Sequence, residues 1–384
     1  MNNKKQTILH ITPFFSPNIG GVETHLFDLI NESDKIGYKN IILTYSPITT
    51  PKVIWKAKEQ FGRNSFVRRF FWIGFNLFHR LEKHPFLNLI YITPYLLIRS
   101  TIWLVIHKPK IKVVHSHGIN GAIIGIILKK IFNLPKHIVS IYSSYDNVPV
   151  NNTSSRFMVS ILNSTDKVLT QSQKSVRQLI TMGVKSERID LYRHWIDLKQ
   201  FKPLNKSFLR KKFSVDNRFS VIFIGRMIPK KGAVMLAEIA SQLPEINFLF
   251  VGEGPDYDTL KKMSLSYKNI RLFGNVSYSH LHLYYNLADV FCIPSLYEEG
   301  WGRVIMEALA CGLPVVASNR GAIPEVVDES VALIVNPTQE QIKKSILKLY
   351  KDREFFLKLK LNSSKYARQK YSAASVRMIT KHYI

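Results

Sequence analysis

The chain has 384 residues, 46% hydrophobic and 21% charged, which excludes a disordered polypeptide and gives enough length for two domains. Lys and Arg number 54 against 27 Asp and Glu, and the net charge of +27 calls for an anionic partner: nucleic acid, a phosphate-bearing substrate or an anionic membrane face. The two cysteines, Cys292 and Cys311, both lie in apolar segments; they lack metal-ligand spacing and read as reduced core thiols.

Lys4 and Lys5 precede apolar residues, but Pro13 and Pro17 soon interrupt the run and no small-residue cleavage site follows, so a cytoplasmic location is expected. Residues 6–12 read as a buried strand. Gly20 and Gly21 then form a loop that permits close backbone approach, and Val22 to Ser33 has helical spacing. Residues 39–45 read as the next strand, completing a βαβ opening that points to a parallel sheet covered by helices.

Residues 52–112 carry twelve Lys or Arg against two acids, Glu59 and Glu82, with aromatics between them. Phe66, Phe70, Ile73, Leu77 and Leu81 fall at helical spacing, with Arg68, Arg69, Asn76, His79, Arg80 and Lys83 on the other side, predicting a basic amphipathic helix over 66–83. Thr93 and Pro94 read as the N-cap and first position of a following helix, which by this reckoning is too short to span a bilayer. Three readings suit this region: a solvated face of ordinary helices, docking to an anionic membrane surface, or nucleic-acid binding. A handful of basic residues suffices for peripheral membrane attachment.

Residues 111–118 form a strand that ends in His115, Ser116, His117 and Gly118, with both histidines on one side by strand alternation. Helix–strand units continue to about residue 200, where a charged connector around 202–216 marks a domain boundary. The alternation restarts with FSVIFIGR, AVMLAEIASQL and INFLFVGEG. Residues 288–318 then read as a strand (ADVFCIPS), a glycine loop (LYEEGWG), a helix (RVIMEALAC) and a strand (LPVVAS). Backbone N–H groups at the start of that helix suit an anionic oxygen. Glu299 in the loop and Glu307 on the helix are poor packing residues but good partners for sugar or ribose hydroxyls.

Arg226 and Lys231 follow a buried strand and precede a helix, as a pyrophosphate site requires, although solvated surface charges have the same pattern. VGEGP at 251–255 lacks the third glycine of a dinucleotide fingerprint. Asp256 and Asp258 match a metal-site pattern but read better as the acidic start of a helix.

Taken in order, GGVETHLFDL, HSHG, WIDLKQFKP, IGRMIPKKG, VGEGP, FGNV and EGWGRVIMEALACGLPVVAS resemble glycosyltransferase family 4, retaining enzymes of the GT-B fold, over nearly the whole length. The resemblance implies that Arg226 and Lys231 hold the donor's diphosphate, that Glu307 takes the ribose hydroxyls and that Glu299 takes sugar hydroxyls. It places the backbone of Gly300, Trp301 and Gly302 near the sugar and phosphate, lets Gly20 and Gly21 approach the donor phosphate, and sets His117 near the sugar, where it assists by hydrogen bonding. His115 is either its partner or a core residue. Three segments depart from the family pattern: His194-Trp195 in place of asparagine-glycine, YSSYDN after the fifth strand, and Asn319-Arg320-Gly321-Ala322 in place of a double glycine. Glu325 suits either the nucleotide side or a helix start.

The expected architecture is α/β, with two Rossmann-like domains facing a cleft. An acceptor domain spans 1–202, with a helix at about 368–384 crossing back to it, and a nucleotide-sugar domain spans 203–367. The expected activity is retaining transfer of a hexose from a UDP- or GDP-sugar to a lipid-linked or polysaccharide acceptor in cell-envelope glycan synthesis. It needs no metal and no cofactor beyond the donor. The expected location is the cytoplasm, peripheral on the inner face of the cell membrane. A sugar-nucleotide epimerase of the same fold and a basic nucleic-acid-binding protein are the rival readings; the motifs match nothing that binds nucleic acid.

Overall fold

A computed structural model describes residues 6–50, 53–74, 77–81, 84–142 and 152–384. Two compact units result, one formed by Met1–His194 with Ala374–Ile384, the other by Trp195–Ala373. Runs such as TILHI and SVIFI are mostly apolar and buried along almost their whole length because helices cover both faces of their sheets.

The first unit holds eight strands: β1 (Thr7–Ile11), β2 (Lys39–Tyr45), β3 (Lys58–Phe61), β4 (Ser65–Phe70), β5 (Ile111–His117), β6 (His137–Ser140), β7 (Lys167–Thr170) and β8 (Ile189–Leu191), in spatial order β3-β4-β2-β1-β5-β6-β7-β8. β3 pairs antiparallel with β4; the other pairings are parallel among the described residues. The second unit holds β9 (Ser220–Ile224), β10 (Asn247–Val251), β11 (Ile270–Leu272), β12 (Val290–Ile293), β13 (Val315–Ser318) and β14 (Ala332–Val335), all parallel, in order β11-β10-β9-β12-β13-β14. Each sheet reverses its winding once, between β1 and β5 in the first and between β9 and β12 in the second. Loops at the carboxyl ends of such strand pairs diverge and leave a crevice, which is where open α/β sheets place ligands.

Three expectations for residues 52–112 are corrected. The segment expected to begin a basic helix at Phe66 is instead β4, paired in parallel with β2 from Ile41–Phe66 to Tyr45–Phe70. Arg69, expected on a solvated face, is buried: it pairs with Glu59 at 2.7 Å and donates to the carbonyls of Ser16 and Lys56. Among the described residues of 66–83, helix is found at Leu77–Leu81; Asn76 and Lys83 lie outside the described residues. Second, Pro94 does not start a helix but sits inside one, Pro85–His107, whose inner face (Ile92, Leu96, Trp103, Leu104) packs into the core. That burial offsets the hydrogen bond Pro94 cannot donate. Third, residues 86–107 of this helix are long and apolar enough to cross a membrane by length and composition.

Cys292 and Cys311 are buried and free, and burial pushes both thiols up. Tyr257–Ser266 forms the helix read from Asp256 and Asp258, with Asp256 at its N-cap and Asp258 in its first turn.

Candidate active site

In the second unit β9 runs into Gly225 and the exposed Arg226, and the single turn Pro229–Lys231 follows. β12 ends beside it, and the amide of Leu296 donates to the carbonyl of Lys230 at 2.8 Å, so the two loops at the switch point are tied to each other. This brings together residues 68 apart: Lys231 Nζ lies 2.5 Å from Glu299 Oε1. The Glu299 carboxylate, 5% exposed, also accepts from Ser295 Oγ at 2.5 Å and from the Tyr297 hydroxyl at 3.0 Å. Burial by itself lowers the Lys231 pKa; the Glu299 carboxylate and Tyr297 outweigh it, and the net shift is upward. Lys231 is therefore a cation throughout the working pH range.

The loop that presents Glu299 is held from below. Gly321 amide donates to Glu298 Oε2 at 2.6 Å, and Ala322 amide to the Glu299 carbonyl at 2.9 Å. Gly321 has φ +62°, and a Cβ there would overlap the backbone of Glu299. One glycine thus meets the steric requirement where the family pattern has a pair. Gly302, at φ +73°, caps the helix Arg303–Ala310, and Trp301 Nε1 donates to Met306 Sδ at 3.1 Å. On that helix Glu307, 2% exposed, accepts from Arg303 Nε at 3.1 Å, one turn back, and from the Tyr285 hydroxyl at 2.9 Å. Arg303 in turn donates to the Tyr278 hydroxyl at 2.6 Å. The Arg303 spacing of four was legible in the sequence; Tyr285, Tyr297 and Ser295 carried no signal there. Glu325 is exposed in the first turn of Ile323–Val326.

In the first unit Gly20 caps the helix Gly21–Lys35 without a side-chain cap, and the space a Cβ would enter at Gly21 is open. His117 ends β5. It is 3% exposed, with Nε2 3.1 Å from His10 Nδ1 and Nδ1 2.6 Å from the Tyr142 hydroxyl. His10 carried no signal in the sequence, because its approach to His117 depends on β1 pairing with β5, which sets His10 opposite His115. His115 meets Tyr383 and Ser140 at 2.7 and 2.8 Å. Burial, with help from neighbouring imidazoles, lowers the pKa of His115 and His117. One ring nitrogen from each of His10, His115 and His117 lies within 4.8 Å of the others, but these imidazoles use their ring nitrogens in the hydrogen bonds above and in one from His10 Nε2 to Asn40 Oδ1 at 3.1 Å. His194 packs against His25 at 4.2 Å between ring centroids, and Trp195 is buried. Of YSSYDN only Tyr142 is described; residues 143–147 lie outside the described residues.

Residues 19–200 match the family described as Glycosyltransferase Family 4, and residues 205–370 match Glycosyl transferases group 1. The phosphatidylinositol N-acetylglucosaminyltransferase GPI3 subunit of Saccharomyces cerevisiae is 23% identical over 348 residues, 86% of this chain and 72% of that protein. GDP-mannose-dependent monoacylated alpha-(1-6)-phosphatidylinositol monomannoside mannosyltransferase of Corynebacterium glutamicum is 30% identical over 173 residues, 41% of this chain and 45% of that protein. Among solved structures, Anabaena Alr3699/HepE in complex with UDP and glucose superposes with a TM-score of 0.74 at 19% identity, covering 97% of this chain and 98% of that one; the likeness is one of fold.

Proposed function

The chain belongs to glycosyltransferase family 4 and is a glycosyltransferase of the GT-B fold, and from that premise we propose that it transfers a hexose, with retention, from a UDP- or GDP-sugar to a lipid-linked acceptor at a membrane surface, in cell-envelope glycan synthesis. The observation that carries the donor half is the gathering of Arg226, Lys231 and Glu299 at the switch point of the second sheet, with Glu307 buried on the helix that follows β12.

Arg226 and Lys231 take the diphosphate. As the bond from the anomeric carbon to the phosphate oxygen breaks, negative charge grows on the leaving group, and fixed cations bind that state more tightly than the ground state. The acceptor oxygen forms its bond on the same face, and its proton passes to the departing phosphate oxygen. These two side chains provide the positive charge, and the reading assigns no role to a metal. A carboxylate has about four acceptor positions, so Glu299 keeps capacity for a sugar hydroxyl beside its three present donors, as Glu307 does for ribose hydroxyls. The amide groups of Gly300, Trp301 and Gly302 approach sugar and phosphate. Arg226→Ala and Glu307→Ala are each expected to lower kcat/KM for the nucleotide sugar by roughly 100-fold; wild-type turnover in both would refute the donor assignment.

Support for the membrane half comes from the Pro85–His107 helix. Its outer face exposes Phe86 (72%), Ile90, Ile98, Ile102, Val105 and Ile106 (68%), with Phe71 and Ile73 also exposed nearby in sequence. Lys108, Lys110 and Lys112 are exposed just past its end. Its inner face belongs to the core of the unit, so the outer face suits embedding in one leaflet rather than crossing. The yeast and corynebacterial relatives are both named for phosphatidylinositol compounds. Three lysines near an anionic leaflet add about 3 kcal/mol, roughly a hundredfold in partitioning. Co-sedimentation is therefore expected with vesicles containing phosphatidylglycerol and to be lost in high salt or in a Phe86→Asp/Ile106→Asp double variant. Binding indifferent to anionic lipid and to salt would remove this half of the reading.

A further inference from the structure

A buried file of hydrogen bonds runs through the first unit and ends on His117, and its proton positions follow from its first member. Asp34, at the end of the helix Gly21–Lys35, accepts from the amides of Arg63 (2.9 Å) and Asn64 (2.7 Å) and from Ser65 Oγ (2.7 Å). A carboxylate only accepts, so the single Ser65 hydroxyl proton points at Asp34. Ser65 Oγ then offers lone pairs to Asn40, 3.0 Å away, which selects the amide's nitrogen side. Asn40 Oδ1 consequently faces His10 Nε2 at 3.1 Å and also receives Ser33 Oγ at 3.2 Å, so Nε2 of His10 carries the proton. Burial holds His10 neutral, with its pKa lowered to about 4, and Nδ1 is left bare. His117 Nε2, 3.1 Å from that bare nitrogen, must be protonated. His117 is neutral as well, so its Nδ1 is bare and receives the Tyr142 hydroxyl proton at 2.6 Å.

We propose that Asn40 and His10 are positioning residues that lock His117 as its Nε2–H tautomer, so that Nδ1 alone, as an acceptor, is offered to a sugar hydroxyl that replaces the Tyr142 hydroxyl. The sugar part of this statement rests on the activity proposed above; the tautomer part does not. Asn40 has no proton to give up, so the file orients His117 and does not conduct protons away from it. Both ring nitrogens of His117 are hydrogen-bonded, and the Nε2 side is committed to the interior. His117 therefore contributes by receiving a hydrogen bond, not by giving one. Orienting partners of this kind change activity about 10- to 100-fold when removed.

The test uses full-length protein labelled with 15N-histidine, with His10 and His117 identified by single substitution. Long-range proton–nitrogen correlation spectra are expected to show both with protonated Nε2 and bare Nδ1. Asn40→Leu is expected to give a mixture of tautomers and a kcat about 10-fold lower or more, with the donor KM little changed. Asn40→Asp, which retains the acceptor for His10 Nε2–H, is expected to restore the wild-type tautomer and most of kcat. A protonated Nδ1 on His117 in the wild-type protein overturns the inference. So does a kcat in Asn40→Leu that stays at the wild-type value while the tautomers mix. Absence of transfer by the wild-type protein from any nucleotide sugar would overturn the proposed activity instead, and the spectra would still decide the tautomer.

Discussion

Lowering the pH from 7 to 4.5 is expected to unfold the first unit. His10 and His137 are buried and neutral, with pKa values lowered by burial from 6.5 to about 4 and about 3; His115 and His117 are lowered too, again mainly by burial. Below pH 6.5 the unfolded chain binds protons that the folded chain refuses. Stability therefore rises with pH between about 4 and 6.5 and is lost as pH falls through that window. At pH 4.5 the loss is about 2.5 kcal/mol for each of His10 and His137. His115 and His117 act in the same direction, and the total is comparable with the whole stability of a typical domain, about 5–15 kcal/mol. Acid titration followed by circular dichroism should show a transition above pH 4 with uptake of several protons. His137→Gln keeps a donor for Ser116 Oγ, which now sits 2.8 Å from His137 Nε2, and should move the midpoint to lower pH. A fold that persists to pH 3.5 would refute the neutral-histidine account.

Lys231→Met is expected to lower kcat/KM roughly 100- to 1,000-fold, the scale of removing one fixed charge from a developing anion. It should also destabilise the protein by about 3 kcal/mol, because Glu299 is left buried with only neutral donors, Ser295 and Tyr297. The two effects separate in a double variant. Lys231→Met/Glu299→Gln removes both charges, and its melting temperature should recover most of the loss while kcat/KM stays at least as low as in the single variant. If the double variant also recovers transfer, the Lys231 charge acts only through stability and its assignment to the diphosphate is wrong.

These two results draw on different layers of information. The second was legible in the chain: Arg226, Lys231, Glu299 and Glu307 each sit at a strand end or on the helix after it, within short stretches whose order resembles one family. The first was not. His10 and His117 are 107 residues apart, and their contact exists because β1 pairs with β5. Lys231 and Glu299 were both named from sequence, yet their ion pair depends on β9 lying next to β12.

What the sequence alone determined is the alternation of strands and helices and the presence of two α/β units, and it singled out the residues proposed for the donor site, because strand ends and glycine loops are local features. Tertiary structure decided residues 52–112. Phe66 and Phe70 fit a period of 3.6 as well as a period of 2, and pairing with β2 settled the matter in favour of a strand, which took Arg69 into the interior. Packing of Ile92, Leu96 and Leu104 likewise carried a helix through Pro94, against local preference. Local propensities are worth only tenths of a kcal/mol to a few kcal/mol per residue, and burial of a whole apolar face outweighs them.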